Sequence, residues 1–283
     1  MRNFASILAA GALAATLLGP APATALSQPE ADDNLNATLW AQSAVEYKAN
    51  AIAAYMAARA ALDMALADRD WTAVDEQQAG YQALPPAVIL DVDETVLDNL
   101  AYQALTVTSG EGFPKNWDAF VQSATSKPVP GSLDFIAYAA SKGVTAFYVT
   151  NRSADQEEAT RKNLAALGYP VATETDTVLM KGEKEGWGSA KGSRRAVVAA
   201  THRVLVVVGD NFGDFVDAYK GTIAERQKVF EANADKWGTK WIMLANPSYG
   251  SWEAAPFGFD YKLPDTDKRR MKRDALEPFA PPQ

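Results

Sequence analysis

The most constraining feature of this chain is an apolar run that ends on two acids, within the sequence AVILDVDETVLD at residues 87–98. Residues 87–91 have the composition of a buried β-strand, and Asp91 and Asp93 then come one residue apart, followed by Thr95. Because alternate residues of an extended chain point to the same side, we expect both carboxylates on one side. Mg²⁺ would neutralise such a pair and hold a phosphate monoester against both acids. Alternatively, these residues only cap helices and start turns.

The N-terminus has the pattern of a cleaved signal peptide, predicted over residues 1–25. Arg2 precedes an apolar stretch at residues 4–18, and the segment ends on Ala23-Thr-Ala25. The apolar stretch is too short to predict a membrane span. The sequence therefore predicts a secreted or periplasmic protein.

Two scarce residue types exclude several classes of site. The chain has no cysteine, which excludes disulfides, thiolate zinc sites, a cysteine nucleophile and a lipobox cysteine for a membrane anchor. His202 is the only histidine, which excludes metal sites and phosphatases built on two histidines. The net charge of −8 argues against nucleic acid as the main partner.

The remaining chain divides into a helical segment at residues 26–84, a core at 85–262 and a tail at 263–283. A long helix is predicted from Leu35 to about Asp68, since apolar residues recur there at three- and four-residue steps. Residues 99–130 lack clean periodicity and are predicted to be a cap insertion. The basic run at residues 268–273 is expected to be a solvated end. The other predicted strands span residues 144–149, 177–180, 204–208 and 240–244; the other predicted helices span residues 132–141, 154–167, 189–200 and 223–236.

The alternation of apolar strands with amphipathic helices predicts an α/β fold with a parallel sheet covered by helices on both faces. Ligands of such sheets bind beyond the carboxyl ends of the strands. Two further predicted strands have polar residues at this end. Thr150 and Asn151 follow residues 144–149, and Asp210 and Asp214 follow residues 204–208. Each of these could equally be a simple capping residue.

Together these residues carry a resemblance. In order, Asp91-x-Asp-x-Thr95, Thr150, Lys191 and Asp210 with Asp214 resemble the four motifs of the haloacid dehalogenase (HAD) superfamily. The longer strings DVDETVLDN, VTNR, GDN and NPSYGSWE are similar to those of the bacterial class C acid phosphatases, which are secreted or lipid-anchored and 5′-nucleotidase-like. The resemblance spans roughly residues 35–261. It implies a HAD-like Rossmannoid sheet with a small, mainly helical cap, built from the N-terminal helix and the insertion.

The resemblance also implies roles for the acids. Asp91 would attack phosphorus and form an aspartyl phosphate, and Asp93 would protonate the leaving alcohol and then activate water. Asp91, the backbone carbonyl of Asp93, and Asp210 would bind Mg²⁺, with Asp214 supporting these ligands. The family often has an acid where Gly213 stands here, which predicts thinner support for the metal.

Phosphate oxygens would be held by Thr150, Asn151 and a lysine. Lys191 is preferred over Lys181 and Lys184, because it lies just ahead of an Arg-Arg pair, as in the family pattern.

Three aromatic residues are candidates for stacking on a base or an aryl group. The resemblance implies that Trp117 and Tyr249 line the substrate site, whereas Trp252 could be ordinary core or interface. The expected substrates are small phosphomonoesters, namely nucleoside monophosphates and aryl phosphates. The resemblance further suggests a homodimer.

Other functions remain open at this point. A dehalogenase has no use for an acid at Asp93, and a phosphomutase would act on cytosolic sugar phosphates, against the signal peptide. A secreted nucleotide-binding or storage protein without catalysis should have lost Asp91 or Asp93, and neither is lost.

Overall fold

A five-stranded parallel sheet carries the fold. The structure is a computed structural model that describes residues 33–172 and 174–280. The predicted signal peptide at residues 1–25 lies outside the described residues. The strands are β1 (Pro86–Leu90), β2 (Leu97–Asp98), β3 (Lys127–Pro128), β4 (Thr145–Ser153), β5 (Val178–Lys181), β6 (Arg203–Gly209) and β7 (Trp241–Met243). The order in the large sheet is β5-β4-β1-β6-β7, whereas β2 and β3 form a small antiparallel pair.

The helices cover both faces of the sheet, as predicted. They are α1 (Leu35–Ser43), α2 (Val45–Ala67), α3 (Leu100–Ser109), α4 (Trp117–Ser123), α5 (Ser132–Ser141), α6 (Glu157–Leu167), α7 (Gly192–Thr201), α8 (Ile223–Ala232), α9 (Ser251–Ala254) and α10 (Asp265–Asp274). Val88 and Leu90 of β1 pack in one core cluster with residues of α2, α5 and α6. Ala87 and Ile89 pack in another cluster with residues of α7. This alternation confirms that β1 is buried on both faces.

The long helix predicted near the N-terminus is two helices. Ala44 adopts an extended conformation with ψ of 135°, which ends α1 and lets α2 begin at Val45. Ala41 of α1 and Tyr47 in the first turn of α2 pack with Leu100 at the start of α3, whereas residues 51–65 of α2 pack on the sheet. The break lets the two helices bury apolar residues against different parts of the molecule.

Helix α2 also contacts the loop that follows β1. The Tyr55 hydroxyl donates a hydrogen bond of 2.6 Å to the backbone carbonyl of Thr95. Tyr55 is 2% exposed and packs against Phe135 of α5. The apolar residues predicted along this helix therefore face the core, and Tyr55 among them supports the loop carrying the two acids.

The insertion after β1 is more regular than its sequence suggests. Helices α3 and α4 lie within residues 99–130, and their aromatic rings form a cluster of Tyr102, Trp117 and Phe120. The basic run near the C-terminus lies in α10. Among the described residues, no helix has the length and apolar character needed to cross a membrane.

Candidate active site

Asp91 is the first residue after β1, the central strand of the sheet. Its backbone N–H donates to the carbonyl of Val208 on the neighbouring β6 (3.0 Å), which continues the strand pairing by one residue. Its side chain is buried and contacts the ammonium group of Lys191. The pairing thus fixes Asp91 at the carboxyl end of the sheet, where ligands bind in such folds.

Three carboxylates meet at this point: those of Asp91, Asp210 and Asp214, here called the carboxylate cluster. One oxygen atom from each lies within 4.8 Å of the other two. Asp210 directly follows β6, and Asp214 lies on the 3-10 turn behind it, where its side chain accepts from the Asn211 backbone N–H (2.9 Å). A Cβ atom at Gly209 would lie 2.3 Å from an Asp214 carboxylate oxygen. Glycine at 209 therefore allows Asp214 to fold back against the strand end.

Among the residues that the structure describes, one cation forms ion pairs with the carboxylate cluster. Lys191, 3% exposed, contacts Asp91 and also Asp214 at 2.7 Å. Burial raises the pKa of Asp91 to about 7 despite Lys191, with the charges of Asp214 and Asp93 adding to the increase. Burial and the charges of Asp214 and Asp91 also raise the pKa of Asp210 well above its usual value. Three carboxylates beside one ammonium group leave an excess of negative charge. Their oxygen atoms are therefore suitable ligands for a divalent cation.

Two neutral side chains orient Asp210. Its carboxylate accepts hydrogen bonds from the Thr95 hydroxyl (3.2 Å) and from the Asn246 side-chain amide (2.8 Å). Thr95 belongs to the loop after β1 and Asn246 to the segment after β7. Asp210 is thus held by both neighbouring segments.

Asp93 lies in different surroundings from Asp91. Its carboxylate accepts from the Arg152 guanidinium (2.9 Å) and from the Asn99 side-chain amide (2.6 Å), and it lies 3.5 Å from the Thr150 hydroxyl. Arg152 is 2% exposed and also donates to Asn99 Oδ1 (3.2 Å). We call Asp93, Asn99 and Arg152 the Asp93 network. In this half of the site the protein supplies the countercharge itself.

Glu94, between the two halves, was not singled out from the sequence. It is 2% exposed, has φ of 54°, and accepts from the Asn99 backbone N–H (2.9 Å) and from the Tyr249 hydroxyl. Burial and the nearby Asp93 charge raise its pKa to about 8, although its hydrogen bonds with Tyr249 and Asn99 oppose the increase. A buried carboxylate needs such partners, because desolvation penalises its charged form.

The predicted phosphate-binding residues lie at the end of β4 and the start of α7. Thr150 is fully buried, and its hydroxyl accepts from the Arg152 backbone N–H (3.0 Å). The Asn151 side chain is held by Arg194 (2.7 Å) and by the Ser189 carbonyl (3.1 Å). Arg194 also donates to the Thr150 carbonyl. This buried arginine therefore fixes the backbone at the strand end.

The three candidate lysines differ in position. Lys191 lies immediately before α7, inside the site. Lys181 and Lys184 are exposed, and Lys184 lies over the Trp187 ring at 4.6 Å from its centroid. Only Lys191 of the three contacts the predicted catalytic acids.

The aromatic candidates lie on two segments. Trp117, on α4, is half-buried, and its ring lies 5.6 Å from the Arg152 guanidinium carbon, which connects it to the Asp93 network. Tyr249 reaches Glu94 through its hydroxyl. Trp252 is 47% exposed, and its indole N–H lies 3.2 Å from the carbonyls of Asn246 and Tyr249. Trp252 thus packs on the backbone that carries Tyr249.

The absence of a side chain at Gly213 is explained by its packing against Tyr219. A Cβ atom there would lie 3.1 Å from the Tyr219 ring. An acid at this position would therefore require Tyr219 to move.

Four residues that orient the acids were not assigned roles from the sequence: Glu94, Asn99, Arg152 and Asn246. All four lie inside the strings that carried the resemblance. Strand β4 continues to Ser153, so that alternation puts residues 150 and 152 on the same side, but the apolar residues that mark this strand in the sequence end at Val149.

Comparisons with known proteins agree with this geometry. Residues 21–252 match the family described as HAD superfamily, subfamily IIIB (acid phosphatase). The structure of the class C acid phosphatase from Bacillus anthracis superposes with a TM-score of 0.78 at 36% sequence identity, covering 87% of this chain and 98% of that chain. The crystal structure of the class C acid phosphatase from Bacillus anthracis with tungstate bound gives the same TM-score at 35% identity and the same coverage.

Proposed function

The chain belongs to the class C acid phosphatases of HAD subfamily IIIB, and we propose that it hydrolyses phosphate monoesters through a phosphorylated Asp91. The observation that carries the proposal is the position of Asp91, at the end of the central strand with a buried lysine and two further acids. HAD phosphatases generally use a divalent metal, and Mg²⁺ is the ion we propose here. Asp91, Asp210 and the backbone carbonyl of Asp93 would hold it, with Asp214 beside them.

In the first step, an Asp91 carboxylate oxygen forms a bond to phosphorus while the bond from phosphorus to the ester oxygen breaks. Asp93 gives its proton to the departing oxygen, so that an alcohol leaves. In the second step, Asp93 takes a proton from water, the water oxygen bonds to phosphorus, and the bond to Asp91 breaks. The products are inorganic phosphate, the Asp91 carboxylate and the protonated Asp93, so that both acids return to their starting forms.

The surrounding residues support both steps. Lys191 would screen the negative charge of Asp91 and of the incoming phosphate, and the buried Thr150 would help to hold the phosphate oxygens. The Asp93 network holds the general acid in one orientation. A bound Mg²⁺ would supply positive charge against the phosphate oxygens and would favour the ionised form of Asp91.

The proposed substrates are nucleoside monophosphates and aryl phosphates, whose rings would contact Trp117 and Tyr249. Support comes from the half-buried Trp117 beside the Asp93 network and from the anchored Tyr249.

We further propose that the protein is secreted or periplasmic after removal of residues 1–25, and that it forms a homodimer. N-terminal sequencing and the native mass of the exported protein test these two points.

A substrate panel with and without a chelator tests the proposed function. We expect phosphate release from p-nitrophenyl phosphate and from nucleoside monophosphates at mildly acidic pH. The chelator should abolish the activity and added Mg²⁺ should restore it. Tungstate, an oxyanion bound in the Bacillus anthracis relative, should inhibit competitively. Full activity after exhaustive chelation would contradict the metal assignment.

The metal also has a test that does not need turnover. Saturating Mg²⁺ should raise the melting temperature of the metal-free protein by about 5 °C, the size expected for a ligand near 100-fold above its Kd. Asp210→Asn should lose this increase, whereas Asp75→Asn, at an exposed acid paired with Lys236, should keep it. An equal increase in Asp210→Asn would contradict the role of Asp210.

A further inference from the structure

Glu94 has an unusual environment for a carboxylate that the proposed chemistry does not use. It is 2% exposed, and no lysine or arginine within residues 33–172 and 174–280 forms an ion pair with it. Its left-handed backbone conformation costs about 1–2 kcal/mol for a residue other than glycine. Such a conformation persists where the surroundings hold it in place. Here its partners are Asn99 and Tyr249.

The first contact of Glu94 reaches the segment after β7. Tyr249 donates its hydroxyl hydrogen to Glu94, and Asn246 on the same segment donates to Asp210 (2.8 Å). This segment is therefore attached at two points to acids at the strand ends. A tyrosine ring held by its hydroxyl keeps one orientation and loses little further entropy when a substrate ring stacks on it.

The second contact of Glu94 reaches the general acid. One carboxylate oxygen accepts from the Asn99 backbone N–H (2.9 Å), and the other lies 3.5 Å from the Asn99 side-chain nitrogen. That nitrogen also donates to Asp93 at 2.6 Å. Glu94 thus helps to place the amide that orients Asp93.

We propose that Glu94 is a positioning residue whose carboxylate fixes the orientation of two groups. These are the Tyr249 ring, which would contact the leaving group, and Asp93, which would protonate it. This inference rests on the proposed function, because it takes Asp93 as the general acid and Tyr249 as part of the substrate site. Recognition of the leaving group and its protonation are then coupled through a residue that touches neither substrate nor metal.

Removal of the Tyr249 hydroxyl tests the first contact. In Tyr249→Phe, KM for p-nitrophenyl phosphate and for a nucleoside monophosphate should rise about fivefold, the effect of one hydrogen bond of ~1 kcal/mol. KM for glycerol phosphate, which has no ring, should stay unchanged. Tyr81→Phe is the matched control, because it removes a tyrosine hydroxyl bonded to the Asp70 carbonyl at 2.6 Å, outside the site. An equal change for all three substrates would overturn the ring assignment.

Substitution of Glu94 tests the second contact. In Glu94→Ala, kcat for glycerol phosphate should fall about tenfold more than kcat for p-nitrophenyl phosphate, because an alkoxide needs protonation more than a nitrophenolate does. Glu94→Gln keeps both shape and an acceptor oxygen and should restore this ratio. A purely structural role would lower kcat for all substrates by the same factor, and that result would overturn the inference.

Two further measurements keep the test decisive. If melting shows that Glu94→Ala does not fold, the KM pattern of Tyr249→Phe decides alone. If Asp91→Asn is inactive while the kcat ratio of a folded Glu94→Ala, or the KM pattern of Tyr249→Phe, matches wild type, only the role of Glu94 fails. If Asp91→Asn keeps its activity, the proposed function fails and this inference with it.

Discussion

Asp91 and Asp93 are separated by one residue, but their carboxylates lie in opposite electrostatic surroundings. Asp91 belongs to the carboxylate cluster of three acids, two of which, Asp91 and Asp214, pair with the ammonium group of Lys191. Asp93 has an arginine of its own and a short hydrogen bond from an amide. The half of the site around Asp91 therefore carries an excess of negative charge. In the half around Asp93, Arg152 balances the charge of the carboxylate.

The two acids of this single loop therefore lie in surroundings that suit two different chemical roles. An acid that must attack phosphorus gains from a site that binds a cation and a phosphate, so an excess of negative charge is useful there before the cation arrives. An acid that must exchange a proton gains from a fixed orientation instead.

Asp91→Asn should lower kcat at least ~10³-fold, because an amide cannot act as the nucleophile. The variant should remain folded, since an amide is buried at lower cost than a carboxylate whose pKa burial has raised. Phosphate release and thermal melting measure the two effects. Asp75→Asn, at an exposed site, is the control, and activity near wild type in Asp91→Asn would remove the distinction between the two halves.

Lys191→Met should lower kcat/KM about 10²-fold, because it removes the ammonium group that pairs with Asp91 and Asp214 in the carboxylate cluster. Lys184→Met removes an exposed lysine and should leave the kinetics unchanged. Steady-state assays of both variants on p-nitrophenyl phosphate measure the difference. Equal losses in the two variants would contradict the assignment of Lys191.

Arg152→Met should lower kcat about tenfold and the free energy of unfolding by about 2 kcal/mol, because it leaves Asp93 without its countercharge. This cost is below that of a fully buried pair, since the Asp93 side chain is 17% exposed. Arg161→Met, whose guanidinium pairs with two acids near the surface, should cost less than about 1 kcal/mol. Urea unfolding measures the loss of unfolding free energy in each variant. An equal cost would show that the Asp93 network is not specially compensated.

The last prediction concerns the pH dependence of stability. The folded-state pKa values of Asp91 (about 7) and Glu94 (about 8) lie above their ordinary values. The folded state therefore binds more protons than the unfolded state, and stability should fall as the pH rises from about 4 to about 8. Melting of the metal-free protein across this range should show the fall. Asp91→Asn should reduce it, and a slope unchanged by that substitution would contradict the raised pKa of Asp91.

The fold and the family could be predicted from the sequence because both depend on local patterns. Apolar strands alternate with amphipathic helices along the chain, and the structure confirms the parallel sheet covered on both faces. The family resemblance, carried by short strings at the strand ends, is also confirmed.

The partners of the site acids could not be predicted, because they depend on where the backbone turns. Glu94 reaches Tyr249 from a left-handed conformation that nothing in its sequence marks. Arg152 was missed because β4 runs to Ser153, beyond the apolar residues that marked the strand. The break at Ala44 was missed as well, since the apolar stripe continues across it and no glycine or proline stands there. The contacts of the residues beside this break are with Leu100 of α3, which is distant in the sequence.

The hydrogen bond from Tyr55 to the Thr95 carbonyl bears on how short a working version of this enzyme can be. A truncated protein that began at Pro85 would retain every acid, lysine and arginine of the candidate active site. It would nevertheless lose the Tyr55 hydroxyl, which supports the turn between Asp93 and Asp98, together with the apolar cover that α2 provides on one side of the sheet. The minimal catalytic unit therefore has to start upstream of α2, in a stretch that contributes no reactive group.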